Sequence, residues 1–491
     1  MKRLTTEQRH VFDLVRQAVR ANPFSRERQE INRNIAGFIG ATEADTLERT
    51  ISDVSQRMEA MAKSGLDRVG DYGDGDADLL RYAHLFHLFH RYIDDFDAHI
   101  EAQEHRGAQP TPLPCAEEIL EKFDTAGFGE DEALKCLALI FQLRRAFYFI
   151  DRGLPGASPS MVAFRETLWN NVFTCDIELY GTWLTNRMED FSTLLLGETG
   201  TGKGSAAKAI GRSGHIPFNP KTGCFTESFS AAFVPINLSQ FSETLVESEL
   251  FGHVRGAFTG AIKDHDGLFA SCSPHGAVFL DEIGEVSHQL QIKLLKVLEE
   301  RSFSPVGDRN PKKFSGRIIA ATNRREEDLL QDGIMREDLF YRLCSDLIVV
   351  PPLRVRLKES SQELPQLVSH TVTRIVGQPS PELSGMVTRA ILKEPGPDYP
   401  WPGNVRELAQ CVRRILLKRR YRGRSASAPV TLPDFSIQSA KGALSASELL
   451  QAYCHHLWSQ CGNVGEVARK TGLDRRTAKK HIDRYLETVS N

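Results

Sequence analysis

The sequence predicts a multidomain chain in three parts: an all-α N-terminal region, a central α/β domain carrying a phosphate-binding loop, and a C-terminal helix-turn-helix. Three observations predict it. Residues 1–150 place apolar side chains at helical spacing and hold almost no alternating pattern. Beyond "DRGLPGASPS" (151–160), short apolar runs alternate with helical stretches, which predicts a parallel sheet with helices on both faces. Near the end, "GNVGEVARKTGLDRRTAKKHIDRYL" predicts two helices joined by a glycine turn.

The 491 residues suffice for roughly two to four domains. A hydrophobic content of 41% with 25% charged residues is that of an ordinary globular chain. The net charge of −3 excludes a global basic field, so any contact with nucleic acid must be local. Nine cysteines without a C-x-x-C pair argue against zinc ribbons and a disulfide framework, and a reducing cytoplasm is expected. No run reaches the roughly 18 apolar residues of a membrane span. "MKRLTTEQRHVFDLVRQAVR" reads as an amphipathic helix rather than a signal peptide.

In the N-terminal region, "RYAHLFHLFHRYIDDFDAHI" sets Tyr82, Leu85, Phe86, Phe89, Ile93, Phe96 and Ile100 at helical spacing, and "DEALKCLALIFQLRRAFYFI" predicts another apolar helix. His87, His90, Asp94 and Asp97 fall on one stripe, with His84 and His99 nearby. Imidazoles and carboxylates one turn apart hold metals in helical bundles. The same stripe also reads as the solvated polar face of an amphipathic helix.

The α/β part opens on "LLLGETGTGKGS", a buried-strand pattern followed by a helix. Gly197, Gly202 and Lys203 fit G-x-x-x-x-G-K, so backbone amides and a helix N-terminus cradle phosphates while Lys203 reaches the outer ones. Gly204 stands where a magnesium-binding hydroxyl is usual, with Ser205 next. "GAVFLDEIGE" ends a buried strand on Asp281, suited to magnesium through water, and Glu282, suited to orienting an attacking water. In "RIIAATNR", Thr322 and Asn323 are placed to meet the γ-phosphate or that water, or simply to begin a turn. "MREDLFYRL" carries Arg336 and Arg342, which suit either charge stabilisation from a neighbouring subunit or a surface helix of ion-paired arginines.

With these motifs in order, residues 153–425 closely resemble the AAA+ domain of sigma-54-dependent transcriptional activators, the bacterial enhancer-binding proteins. "GETGTGKG", "ESELFGHVRGAFTGA", "GAVFLDEIGE", "RIIAATN", "MREDLFYRL", "VPPLR" and "PWPGNVREL" carry the resemblance. It implies an α/β subdomain over 153–350 and a helical lid over 351–425, assembled into a ring, usually a hexamer, that hydrolyses ATP with Mg²⁺ between subunits. Gly197, Glu198, Thr199, Gly200, Thr201, Gly202, Lys203, Gly204 and Ser205 fall on the Walker A loop, and Asp281 and Glu282 on Walker B. Asn237 matches the asparagine that restrains the catalytic glutamate, Thr322 and Asn323 match sensor I, Arg336 and Arg342 the arginine fingers, and Arg406 sensor II. Gly256, Ala257, Phe258, Thr259, Gly260 and Ala261 match the loop that contacts sigma-54, with Phe258 expected as an exposed apolar anchor.

The sequence departs from the family at Gly204, usually glutamate. It departs also in the long segment 214–238 and in "DIELYGTWLTNRMEDFST" (176–193), both expected to alter subunit contacts. The region 1–152 lacks the strands of receiver, GAF and PAS domains and is expected to be a helical regulatory domain.

Residues 426–444 read as a linker and 445–491 as a Fis-type helix-turn-helix. Ser445 and Glu448 form a capping box, Gly472 permits the turn, and Leu473 anchors it. Arg475, Arg476, Thr477, Lys479, Lys480 and Arg484 are the expected contacts to double-stranded DNA. The resemblance implies dimers through the preceding helix. The whole then reads as a cytoplasmic ATPase that binds an upstream activating sequence and opens promoters held by sigma-54 RNA polymerase. The runner-up is a DNA-binding AAA+ regulator or repressor that does not act through sigma-54.

Overall fold

The computed structural model describes residues 1–37, 42–331, 333–421 and 445–489, so the expected linker lies outside the described residues. The chain divides into two compact units, Met1–Arg420 and Tyr421–Asn491.

The sheet of the first unit comprises β1 (Thr193–Leu196), β2 (Phe233–Asn237), β3 (Ala277–Asp281), β4 (Arg317–Thr322) and β5 (Asp346–Val349). All are parallel, in the order β2-β3-β4-β1-β5. The inner strands β1, β3 and β4 are buried almost throughout, as the unbroken apolar runs of a two-sided parallel sheet require. Pro235, which has no amide to donate, sits on edge strand β2. The register sets Leu196 beside Thr322 and Asn237 beside Asp281, so the polar carboxyl ends of four strands gather at one rim.

Helices of seven residues or more are numbered along the chain. Seven form the N-terminal region: α1 (Thr6–Arg20), α2 (Arg26–Ala36), α3 (Glu43–Lys63), α4 (Asp74–Arg91), α5 (Ile93–Arg106), α6 (Ala116–Thr125) and α7 (Glu130–Gly153). The expected boundary at 152 falls at the end of α7. The apolar core nevertheless runs across it, from Leu4 to Val350.

The helix expected over 81–100 is broken at Tyr92, whose φ of −106° and ψ of 19° end α4 and begin α5. The stripe His87, His90, Asp94, Asp97 is thereby split. His84 Nε2 lies 2.7 Å from the Asp67 carbonyl, and Asp97 takes Arg144 at 2.6 Å. No group of three metal-ligating side chains forms among the described residues. Nor is any described helix long and apolar enough to cross a membrane.

α8 (Pro159–Phe173) leads into β1, and α9 (Lys203–Gly211) follows the phosphate loop. The long segment 214–238 forms a small hairpin, Phe218–Asn219 against Cys224–Phe225, and the N-terminal helices occupy it. Phe141 of α7 stacks on Phe225 with centroids 4.4 Å apart, and Leu113 N–H donates to the Gly223 carbonyl at 2.9 Å. Gln142 donates to the Ser213 carbonyl (2.8 Å) and the Tyr180 hydroxyl (2.7 Å), and Arg145 to the Gly214 carbonyl. Both segments that depart from the family also make contacts within the chain, where Tyr180 and Phe225 join the core under α7.

α10 (Glu243–Phe251), α11 (His288–Glu300) and α12 (Glu337–Leu343) flank the sheet. α13 (Leu353–Glu359), α14 (Glu363–Val376), α15 (Pro381–Lys393) and α16 (Asn404–Lys418) form the helical lid. Fully buried Glu363 accepts from Arg356 Nε at 2.6 Å and from the amides of Ala157 and Ser158 at 2.6 and 2.9 Å, tying the lid to the start of α8. Glu363→Ala strands a buried guanidinium and two amides and is expected to cost about 3–5 kcal/mol. Urea unfolding checks this, and an unchanged midpoint would refute it.

In the second unit, α17 (Ala446–Cys461), α18 (Val464–Thr471) and α19 (Arg475–Val489) pack around Cys454, Leu457, Val467, Ala478 and Ile482. The Ser445–Glu448 capping box is formed, and Gly472 ends α18 in the left-handed region at φ 71°. Asp474 accepts from the amides of Arg476 and Thr477, both at 3.0 Å, to start α19. Arg475, Arg476, Lys479, Lys480 and Arg484 are exposed, while Thr477 is half-buried.

Candidate active site

The phosphate loop runs from the end of β1 into α9. Gly200 and Gly202 hold φ 83° and 116°, open to glycine and strained for other residues. A side chain at Gly200 would also meet the Gly403 carbonyl at 2.4 Å. Lys203 is buried, and its Nζ donates to the Gly197 carbonyl at 2.6 Å and that of Glu198 at 3.3 Å. Burial holds its ammonium below the usual lysine range, opposed by Glu282 and Asp281. Gly204 and Ser205 are exposed in the first turn of α9.

Across the rim, Glu282 adopts a left-handed backbone at φ 58° where β3 ends. Its Oε2 is buried and takes no partner among the described residues. Burial raises its carboxyl above the usual glutamate range, opposed by Lys203. Such strain and an orphaned oxygen mark a group held for a ligand or water. Asn237 donates to Asp281 Oδ2 at 3.5 Å, so in this structure it meets Asp281 rather than Glu282. Thr322 is buried, accepting from the Arg324 amide at 3.2 Å. Asn323 Nδ2 reaches Thr199 Oγ1 at 3.4 Å, linking the end of β4 to the loop.

The lid closes on the loop. The Arg406 amide donates to the Gly200 carbonyl at 3.3 Å, and its charge acts on Lys203. Two residues unassigned from the sequence share this seam. Arg354 pairs with Glu198 at 2.6 Å. Asn404 donates to Glu198 Oε2 and the Thr199 carbonyl at 3.1 and 3.2 Å and accepts from the Leu353 amide at 2.8 Å. Both lie in motifs already visible, "VPPLR" and "PWPGNVREL", but only the folded lid shows what they touch.

Arg336 and Arg342 are not brought to this loop. Arg336 pairs with Asp338 at 2.7 Å, and Arg342 donates to the Leu298 carbonyl at 3.2 Å.

Residues 256–261 cap a stem in which His253 and His265 exchange two backbone bonds of 2.9 Å. Gly252 and Gly267 press together at its base, where a side chain at Gly267 would meet Gly252 N at 2.2 Å. Gly256 (φ 83°) donates to the Ala261 carbonyl at 2.9 Å, and Gly260 has φ 104°. Thr259 is exposed. Phe258 is half-buried, edge-on to His253 at 4.9 Å, rather than the exposed anchor expected, because the stem imidazole gives its ring an apolar face.

The donor set fits a nucleoside triphosphate. Lys203 and the first amides of α9 present positive charge to phosphates, and Glu282 keeps an unpartnered oxygen. Among the described residues Asp281 Oδ2 takes only the long bond from Asn237, which fits a hydrated cation. Fold and site together define an AAA+ ATPase-like α/β domain with a helical lid.

Residues 181–348 match the family model "Sigma-54 interaction domain". The nitrogen fixation protein AnfA of Azotobacter vinelandii is 36% identical over 300 residues, 60% of this chain and 53% of that protein. The DNA-binding transcriptional regulator NtrC of Azospirillum brasilense is 40% identical over 230 residues, 46% of this chain and 43% of that protein. The Nif-specific regulatory protein of Azotobacter vinelandii is 41% identical over 225 residues, 45% of this chain and 39% of that protein. The chain thus spans about half the length or less of these relatives.

Proposed function

We propose that this chain is an ATP-hydrolysing transcriptional activator that binds upstream DNA and remodels the closed complex of sigma-54 RNA polymerase. The observation that carries the reading is the intact Gly256–Ala261 tip on its glycine-based stem, inside the segment that matches the sigma-54 interaction family. Glycines at both ends of the tip allow a second backbone state, which a loop that rises and falls with nucleotide needs.

Gly197–Ser205 bind the phosphates, and Lys203 exchanges its bonds to the loop carbonyls for phosphate oxygens. Glu282 orients the attacking water and takes its proton on the buried oxygen. Asn237 restrains the Asp281–Glu282 pair, while Thr322 and Asn323 relay the state of the γ-phosphate from β4 to Thr199. Arg406, seated on Gly200, reports it to the lid. Magnesium, held by Asp281 through water, would neutralise charge on the phosphates, and Gly204 leaves that task without the usual hydroxyl. Arg336 and Arg342 stand at the surface of α12 and act on the site of a neighbouring subunit in a hexameric ring.

The second unit binds double-stranded DNA as a Fis-type dimer. α19 enters the major groove, with Arg475, Arg476 and Thr477 nearest the bases and Lys479, Lys480 and Arg484 on phosphates. Residues 1–152, docked on the segment beyond α9, regulate the ATPase, in the cytoplasm.

The test is transcription in vitro from a supercoiled sigma-54 promoter. Open complexes are expected with ATP and not with a non-hydrolysable analogue. Opening with both, or with neither, would remove the motor from the reading.

A further inference from the structure

The N-terminal helices and α8 line a partly open cavity of about 250 Å³ that the ATPase does not use. Phe86 and Phe89 of α4, Leu139, Leu143 and Phe147 of α7, and Trp169 of α8 form its apolar wall. A cavity of about 150 Å³ already holds benzene, so this one has room for a ring bearing a small substituent.

The polar lining is unusual for such a space. Arg28 of α2 donates from Nε to Asn32 Oδ1 at 3.1 Å and from Nη1 to the Ala18 carbonyl. It has no carboxylate partner among the described residues, and its Nη2 takes none of the bonds they offer. Burial lowers its guanidinium to about 10. His90 of α4 also lines the cavity, and both its ring nitrogens are buried without a partner among the described residues. Burial holds it neutral, with Arg28 and Arg144 pressing the same way. Arg144 is already neutralised by Asp97 at 2.6 and 2.7 Å, so among the described residues the uncompensated positive charge of the cavity is that of Arg28.

A half-buried cation without a counter-charge among the described residues and an imidazole whose two buried nitrogens find no partner there are costly unless a ligand completes them. We propose that this cavity is a binding site for a small monocarboxylate with an apolar, ring-sized body. The carboxylate pairs with Arg28 and accepts from His90, and the body lies between Phe86, Leu143, Phe147 and Trp169.

The site has a route to the motor. The helix α7 that supplies Leu139, Leu143 and Phe147 to the cavity also carries Gln142 and Arg145. These two hold the carbonyls of Ser213 and Gly214, just beyond the helix that begins at Lys203. Filling the cavity therefore shifts the contact between the N-terminal helices and the ATPase. This consequence rests on the ATPase reading, whereas binding does not.

Calorimetric titration of the full chain with benzoate and phenylacetate, and with neutral phenylacetamide, tests the site. Saturable one-to-one binding of at least one acid is expected, with the amide at least about tenfold weaker. Arg28→Gln is expected to weaken the acid at least about tenfold. Leu143→Phe, which fills the cavity and spares the charge, is expected to abolish binding. Melting curves identify any variant that fails to fold, and the other then decides. No binding of either acid, an amide as tight as its acid, or binding unchanged in the folded variants would each overturn the proposal. An acid that binds without changing the ATPase rate leaves the site standing and removes its coupling to the motor.

Discussion

Glu282→Gln is expected to bind ATP as the parent chain does and to lose turnover by about two orders of magnitude or more, the worth of a positioned general base. The glutamine keeps the shape of the side chain and its place at the end of β3, so the loop, Lys203 and the lid seam stay as they are. What is lost is the carboxylate oxygen that stands buried and unpartnered beside Lys203. Phosphate release and nucleotide binding, measured on the same preparation, separate the two effects. Turnover within a few-fold of the parent would remove Glu282 from its role. The acid limb of kcat/KM offers a second check. Because burial raises the Glu282 carboxyl, the active carboxylate is lost, as pH falls, before an ordinary glutamate would be protonated. The limb is therefore expected above the usual glutamate range, and Glu282→Gln is expected to erase it.

Thr259→Ala is expected to leave ATP hydrolysis intact and to reduce open-complex formation at least about tenfold, the loss of a contact worth roughly 1.4 kcal/mol or more. Thr259 is exposed at the tip, so its hydroxyl supports neither the core nor the nucleotide site. The stem is held by His253, His265, Gly252 and Gly267, none of which the substitution touches. Permanganate footprinting of the melted promoter beside an ATPase assay gives both numbers. Normal opening by Thr259→Ala would show that the tip is not the output of the motor. Phe258 calls for a different expectation from that of a free anchor: its ring must leave His253 before it engages a partner.

Much of this was legible because the chemistry is local in the chain. Thr193–Ser205 is one uninterrupted strand–loop–helix, so spacing alone marks it. β1, β3 and β4 are apolar on both faces and announce a covered parallel sheet, which then sets Asp281, Glu282, Thr322 and Asn323 at one rim. The capping box at Ser445 and the left-handed Gly472 were equally local, and both are formed.

Other features depend on which distant surfaces meet. Apolar periodicity carries through 81–100 without a sign of the break at Tyr92, since either a straight or a broken helix buries the same side. Phe225 and Phe229 follow no period, and only α7 packing on them shows why the segment 214–238 is long: Phe141 stacks on the first and Phe149 meets the second edge-on at 5.5 Å. Asn404 and Arg354 are ordinary polar residues until the lid folds against Glu198.

The sequence by itself determined the nucleotide loop, the strands behind it, the glycine-flanked tip at 256–261 and the terminal helix-turn-helix, because each is encoded by residues close in the chain whose backbone and charge suffice. The tertiary structure decided where the N-terminal helices sit, which carbonyls Gln142 and Arg145 hold, and that Arg28 and His90 share one cavity. Those outcomes depend on burial against partners scores of residues away, and packing of that kind leaves no spacing to read.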